Sequence, residues 1–140
     1  MEANFMVSLL SASGAHAKAC ISEFTKLDLS PGQPKVLSCL LTQEGYLQKE
    51  LAGRCRVEPA TMTVLLTSME KKGLIRKETS HVSGGKRAFR VYLTEQGREL
   101  ALKVDQIIQD VEEQCMKGFS EAEKELMLSL LDRVTANLSK

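Results

Sequence analysis

Between Pro59 and Arg90 the chain carries two sets of side chains that could hold a polyanion. At helical spacing, Ala60, Thr61, Thr63, Val64 and Thr67 fall mostly on one side. Met62, Leu65, Leu66 and Met69 fall on the other. Threonine hydroxyls can hydrogen-bond a phosphate or a base edge, and Thr and Val methyls can touch a thymine methyl. An ordinary amphipathic helix would also have a polar side, but Val64 there favours contact with a groove over a merely solvated face. The second set is cationic: Lys71, Lys72, Arg76, Lys77, Lys86, Arg87 and Arg90, opposed between positions 71 and 90 by Glu78 alone, a local charge of +6. Lys86 and Arg87 follow a Gly-Gly pair, and an Arg on such a loop gains from the negative potential of a narrow minor groove. Gln48 and Lys49 are placed to meet phosphate. Gln33, Lys35, Arg54 and Arg56 are weaker candidates of the same kind. Arg90 could serve phosphate or an acidic side chain equally, and Arg76 and Lys77 alternate in direction, so at most one should face a duplex.

Other chemistries find less support. There is no Ser/His/Asp set and no glycine-rich phosphate loop, and neither His16 nor His81 neighbours a cysteine in sequence, so no enzyme is expected. Cys20, Cys39, Cys55 and Cys115 are widely spaced and form no CxxC pair, which argues against a zinc site, and no metal or other cofactor is expected. A redox-sensing thiol needs access and a lowered pKa. Cys20 near Lys18, or Cys55 between Arg54 and Arg56, would qualify if exposed; a buried, inert cysteine is the commoner case.

The elements that must position these groups can be read from periodicity. Residues 4–28 form a helix with a broad apolar face, including Phe5, Met6, Leu9, Leu10, Ile21, Phe24 and Leu27. Ser30 and Pro31 should cap and open a second helix, which runs to about Thr42 and buries Val36, Leu37, Leu40 and Leu41. A third spans about Gln48–Cys55. A fourth starts at Pro59 and stops near Lys72-Gly73. Strands follow at 74–79 and 88–93, and the basic loop between them is too long for a tight turn. Thr94 caps a long fifth helix with Leu100, Val104, Ile107, Ile108, Val111 and Cys115 on its stripe. Ser120 and Glu123 make a capping box for a sixth helix, expected to bury Met127, Leu130, Leu131, Val134 and Leu138. The fold class is therefore mainly α with a small β wing, a winged helix-turn-helix flanked by helical ends. Those ends carry more apolar stripe than the wing unit needs, so they should meet a second copy.

With 140 residues, 43% of them apolar and 26% charged, one soluble domain is expected. Met1–Phe5 lacks the basic start of a signal peptide and no segment reaches a membrane span, so a cytoplasmic setting without membrane contact is expected. Residues 94–128 hold nine acidic and four basic side chains, net −5. That acidic end, set against the basic wing, suits a molecule with one face toward a polyanion and another turned away.

The run QKELAGRCRVEPATMTVLLTSMEKKGLIRKE, followed by SGGKRAFRVYLTEQGREL, resembles MarR-type bacterial transcription regulators, most strongly from about Leu29 to Leu102. The resemblance implies a single domain over residues 1–140. Residues 30–93 would form the winged helix that binds DNA, with 1–29 and 94–140 as the helical dimerisation region. It implies a homodimer on a palindromic operator, with a recognition helix in the major groove and a wing at the minor groove. It further implies a repressor released by a small aromatic or lipophilic molecule, or by cysteine oxidation. A ligand pocket would then lie between the first, second and fifth helices. Three positions depart from the family pattern. Leu47 stands where Ser or Thr often caps the third helix, a cap worth about 1 kcal/mol. Gly85 stands where an Asp often orients the wing. Val64 stands where Arg or another polar residue is frequent. A winged-helix module that binds protein and not DNA is the alternative the residues leave open, supported by the uncharged face of the fourth helix.

Overall fold

The computed structural model describes residues 4–81, 85 and 87–139. Six helices, α1 (Phe5–Thr25), α2 (Gln33–Thr42), α3 (Gln48–Cys55), α4 (Pro59–Lys71), α5 (Glu95–Cys115) and α6 (Glu121–Leu138), accompany strands β1 (Tyr46–Leu47), β2 (Ile75–His81) and β3 (Arg87–Leu93). The sheet is antiparallel in the order β1-β3-β2, with Ile75 opposite Leu93, Lys77 opposite Val91 and His81 opposite Arg87.

One core holds the middle of the chain together. Val36, Leu37 and Leu40 of α2 meet Leu51 of α3, Met62, Leu66 and Met69 of α4, Ile75 and Val91 of the sheet, and Ala101 and Val104 of α5. Leu37, Leu40, Leu51, Met62, Leu66 and Met69 are fully buried, each worth about 1.5–3 kcal/mol relative to exposure. The turn between α3 and α4 rests on Arg56, whose left-handed backbone (φ 54°, ψ 48°) lets Val57 N–H reach back to the Ala52 carbonyl at 3.0 Å. Gly73, at φ 76°, ends α4 in the same manner, with Leu74 N–H donating to the Met69 carbonyl at 3.0 Å.

The wing is joined to α5 by a compact set of bonds. Thr94 Oγ1 donates to the Gly73 carbonyl at 2.6 Å and accepts from Gly97 N–H at 3.0 Å, which caps α5 as the sequence predicts. Gly97 lies so close to the Leu74 backbone that a Cβ would collide with its carbonyl oxygen. Glu44 Oε1 accepts from Leu93 N–H at 2.7 Å and its other oxygen pairs with Arg98. Burial opposes ionisation of Glu44. The Arg98 and Leu93 hydrogen bonds and the Arg98 and Arg76 charges outweigh it and lower the pKa.

Two expectations are corrected and one strand is added. Ser30 and Pro31 do not open α2: the chain turns once more, Gly32 (φ 95°) is the residue before the helix, and Pro34 occupies its first turn. The two-residue strand β1 escaped sequence reading because so short a segment has no alternation to detect; it is defined by Tyr46 and Leu47 pairing with Val91 and Arg90. The apolar residues of α6 are not buried: none of that helix's residues is, and Leu130, Leu131 and Leu138 are 44%, 45% and 81% exposed. Among the described residues its stripe is left largely exposed. The capping box of α6 does form, with Glu123 N–H donating to Ser120 Oγ at 3.1 Å and Ser120 N–H to Glu123 Oε1 at 2.9 Å.

Candidate nucleic-acid interface

The amphipathic split expected for α4 is present. Met62, Leu65, Leu66 and Met69 are buried, while Ala60, Thr61, Thr63, Val64 and Thr67 are exposed. Val64 is 69% exposed, a β-branched apolar side chain held in water by a well-packed helix. Two hydroxyls are already engaged along the helix: Thr63 Oγ1 donates to the Pro59 carbonyl at 3.1 Å, and Thr67 Oγ1 to the Thr63 carbonyl at 2.8 Å. Their methyl groups and remaining lone pairs are what α4 offers outward, a surface suited to thymine methyls and base-edge donors.

α3 supports this face. Gln48 Nε2 donates to Thr63 Oγ1 at 2.9 Å, so Gln48 bridges the starts of α3 and α4, and Lys49 beside it is exposed. Leu47 has no acceptor for a cap, yet half of a capping box survives: Glu50 Oε1 accepts from Leu47 N–H at 2.8 Å. The missing hydroxyl therefore costs α3 only one of its two reciprocal bonds.

The basic residues separate into engaged and available. Arg87 is exposed at the start of β3; Lys86 lies outside the described residues. Arg90 is engaged within the sheet and makes no ion pair among the described residues. Its guanidinium donates to the Gly45 carbonyl at 2.8 Å and Ser80 Oγ at 3.4 Å, tying the three strands together. Arg76 pairs with Glu78 and stacks 4.6 Å from the Tyr92 ring centroid, and Lys77 Nζ sits 5.8 Å from that of Phe89. Gln33 is also misassigned by sequence reading: it is 1% exposed and bonded inside the protein. A glutamine near a helix start gives no sign of burial unless the packing around it is known.

A cavity of about 690 Å³ lies behind this face. Ile21 and Phe24 of α1, Pro34 and Cys39 of α2 and Ile108 of α5 give it apolar walls, while Lys35, Arg54 and Arg56 border it with positive charge. Its position between α1, α2 and α5 is the one the resemblance implies. Cys20, Cys39 and Cys55 also line it, but not as activated thiols. Burial, reinforced by the neighbouring Cys39 thiol, pushes Cys55 up to about 11, and the charges of Lys35 and Arg54 offset only part of that. Cys20 is raised as well, by burial and then by Cys115. Of the two readings left open for Cys55, the buried cysteine is the one present: desolvation outweighs the charges of Lys35 and Arg54.

A family model described as MarR family matches residues 29–84, which run from the α1–α2 connection through α4 and past β2. Over those residues the chain is similar to the MarR family. Similarity extends beyond those residues. The HTH-type transcriptional regulator YybA of Bacillus subtilis is 28% identical over 118 residues, covering 84% of this chain and 77% of that protein. The structure of the transcriptional regulator PA3341 superposes with a TM-score of 0.82 at 29% identity, covering 96% of this chain and 98% of the other. A MarR family regulator from Listeria monocytogenes, solved in complex with a 26mer DNA, is 25% identical with a TM-score of 0.81, covering 99% and 90%. The mainly helical fold with a small antiparallel sheet is the fold of these MarR structures. No helix among the described residues is long and apolar enough to cross a membrane.

Proposed function

We propose that this protein is a homodimeric, sequence-specific DNA-binding transcriptional regulator whose operator affinity responds to a small apolar ligand. The observation that carries this reading is the exposed face of α4, where Ala60, Thr61, Thr63, Val64 and Thr67 stand clear of a core that buries every large apolar residue behind them. Residues 30–93 read the duplex, with α4 in the major groove, Gln48 and Lys49 toward phosphate, and Lys86 and Arg87 toward the minor groove. Residues 1–29 and 94–140 pair two copies. The support for pairing is the number of large apolar side chains that α1 and α6 leave in water, among them Phe5, Met6, Leu10, Leu126, Leu131 and Leu138.

The cavity supports a ligand-driven response, because its apolar walls and basic border suit a lipophilic or aromatic molecule bearing a negative charge. Raised thiol pKa values speak against an oxidant as the signal. The protein is read as a binding protein of the cytoplasm and not an enzyme. Where the operator overlaps a promoter, occupancy excludes polymerase, so repression is the expected sign. The test is selection from a random duplex pool by the purified protein, followed by titration of the winning sequence at several salt concentrations. The expected product is a palindrome with half-sites centred about 34 Å apart and bound by two chains. Failure to enrich any duplex at low ionic strength would overturn the reading and favour a protein-binding module.

A further inference from the structure

The connection between α1 and α2, together with Gln33 at the start of α2, contacts the C-terminal half of the recognition helix. Gly32 packs on Leu65, where a Cβ would stand 3.1 Å from Leu65 Cδ1. Gln33 Nε2 donates to Ser68 Oγ at 3.2 Å. Lys72 Nζ donates to the Asp28 carbonyl at 2.7 Å and to Gln33 Oε1 at 3.3 Å, and that same oxygen accepts from Ser30 N–H at 3.2 Å. Positions 65, 68 and 72 recur at helical spacing, so these contacts form a stripe up one side of α4. Leu29, Ser30, Pro31 and Gly32 meanwhile line the cavity. The connection is thus a partition one chain thick, with the cavity on one side and the recognition helix on the other.

We propose that Gln33 is a positioning residue for DNA recognition, its side-chain amide locking the rotation and height of α4 to the cavity wall formed by Leu29–Gly32. A buried amide bonded in three directions is geometrically demanding, because each bond tolerates only a few tenths of an ångström before weakening. Leu65 and Met69 could pack against a shifted connection in several ways; the Gln33 amide accepts one. The groove face of α4 inherits that pose, since Val64 and Thr67 are the residues immediately before Leu65 and Ser68. This inference rests on the DNA-binding reading above, but its structural half can be tested without DNA.

Gln33→Met keeps the volume and apolar packing and removes all three bonds. Ser68→Ala removes the Nε2 acceptor from the opposite partner, and stands in should the first variant fail to fold. Amide hydrogen exchange of the full chain should show protection falling together at residues 29–33 and 65–72, by on the order of tenfold, with residues 101–111 of α5 unchanged. For a duplex selected by the wild type, the ratio of specific to non-specific affinity should fall by about tenfold, while the salt dependence stays the same because no phosphate contact is lost. Unchanged exchange in α4, or an equal fall across α4 and α5, would overturn the proposal by showing that the amide either does nothing or only stabilises the fold. A wild type that discriminates no duplex would sink the DNA-binding reading instead, leaving the exchange result to decide the role of Gln33.

Discussion

The winged unit and the terminal helices obey opposite packing rules. α2, α3, α4 and the sheet bury their apolar faces almost completely, so that Val36, Leu37, Leu40, Leu51, Met62 and Leu66 are inaccessible to water. α1 and α6 have no buried residue, although each carries several large apolar side chains. One region is complete as a packed solid; the other leaves much of its apolar surface exposed. Stability should therefore reside in the first and assembly in the second, and the two should be separable by mutation.

The largest expected effect is on the complete region. Leu37→Ala leaves a cavity at the meeting point of α2 and its neighbours, and should cost about 2–5 kcal/mol in urea unfolding. A loss below about 1 kcal/mol would mean the core is looser than its burial implies. Second is the open region. Leu131→Glu should leave the winged core folded while weakening the dimer by about 3 kcal/mol, because symmetry removes the burial twice; sedimentation should show a dissociation constant raised roughly a hundredfold. An unchanged constant would place the interface elsewhere on α1 or α6.

Third, Arg87→Ala should lower operator affinity at low salt by about tenfold and reduce the slope of log affinity against log salt by about one per wing, with thermal stability unaffected. An unaltered slope would remove Arg87 from the duplex. The smallest effect concerns Glu44, which staples the α2–β1 turn to β3 and α5. Its carboxylate is favoured in the folded chain, so at acid pH the folded state holds fewer protons than the unfolded one. The stabilisation is present above the ordinary value of 4.5 and is lost as pH falls below it. Glu44→Gln should therefore cost under about 1 kcal/mol at pH 7, a difference from wild type that shrinks steadily as pH is lowered from 4.5 in paired thermal melts. A difference that does not shrink as pH is lowered would mean shape and not charge is responsible.

Much of the candidate interface was legible because surface helices advertise their two faces. The 3.6-residue repeat of Pro59–Lys71 separates its groove side from its core side without any knowledge of neighbours, and Pro59, Gly73, Thr94 and Ser120 mark helix ends through local backbone chemistry. What stayed hidden were groups whose role depends on distant partners. Gln33 looks like any polar residue near a helix start until Ser68 and Lys72 are brought to it across 35 and 39 residues. Arg90 looks like a wing cation until Gly45 arrives 45 residues away to accept its protons. Cys55, flanked by two arginines, looks activated until the fold removes it from water.

Local order along the chain, the faces of its helices, the concentration of positive charge after α4 and the resemblance to a regulator family were all determined by the sequence itself, since each depends on residues within a few turns of one another. Only the tertiary structure decided which polar groups are spent internally and which face outward, that the connection before α2 lies between a cavity and α4, and that α1 and α6 keep much of their apolar surface exposed. Hydrogen bonding and desolvation act through space, and a linear order of residues carries no distances between side chains that folding brings together.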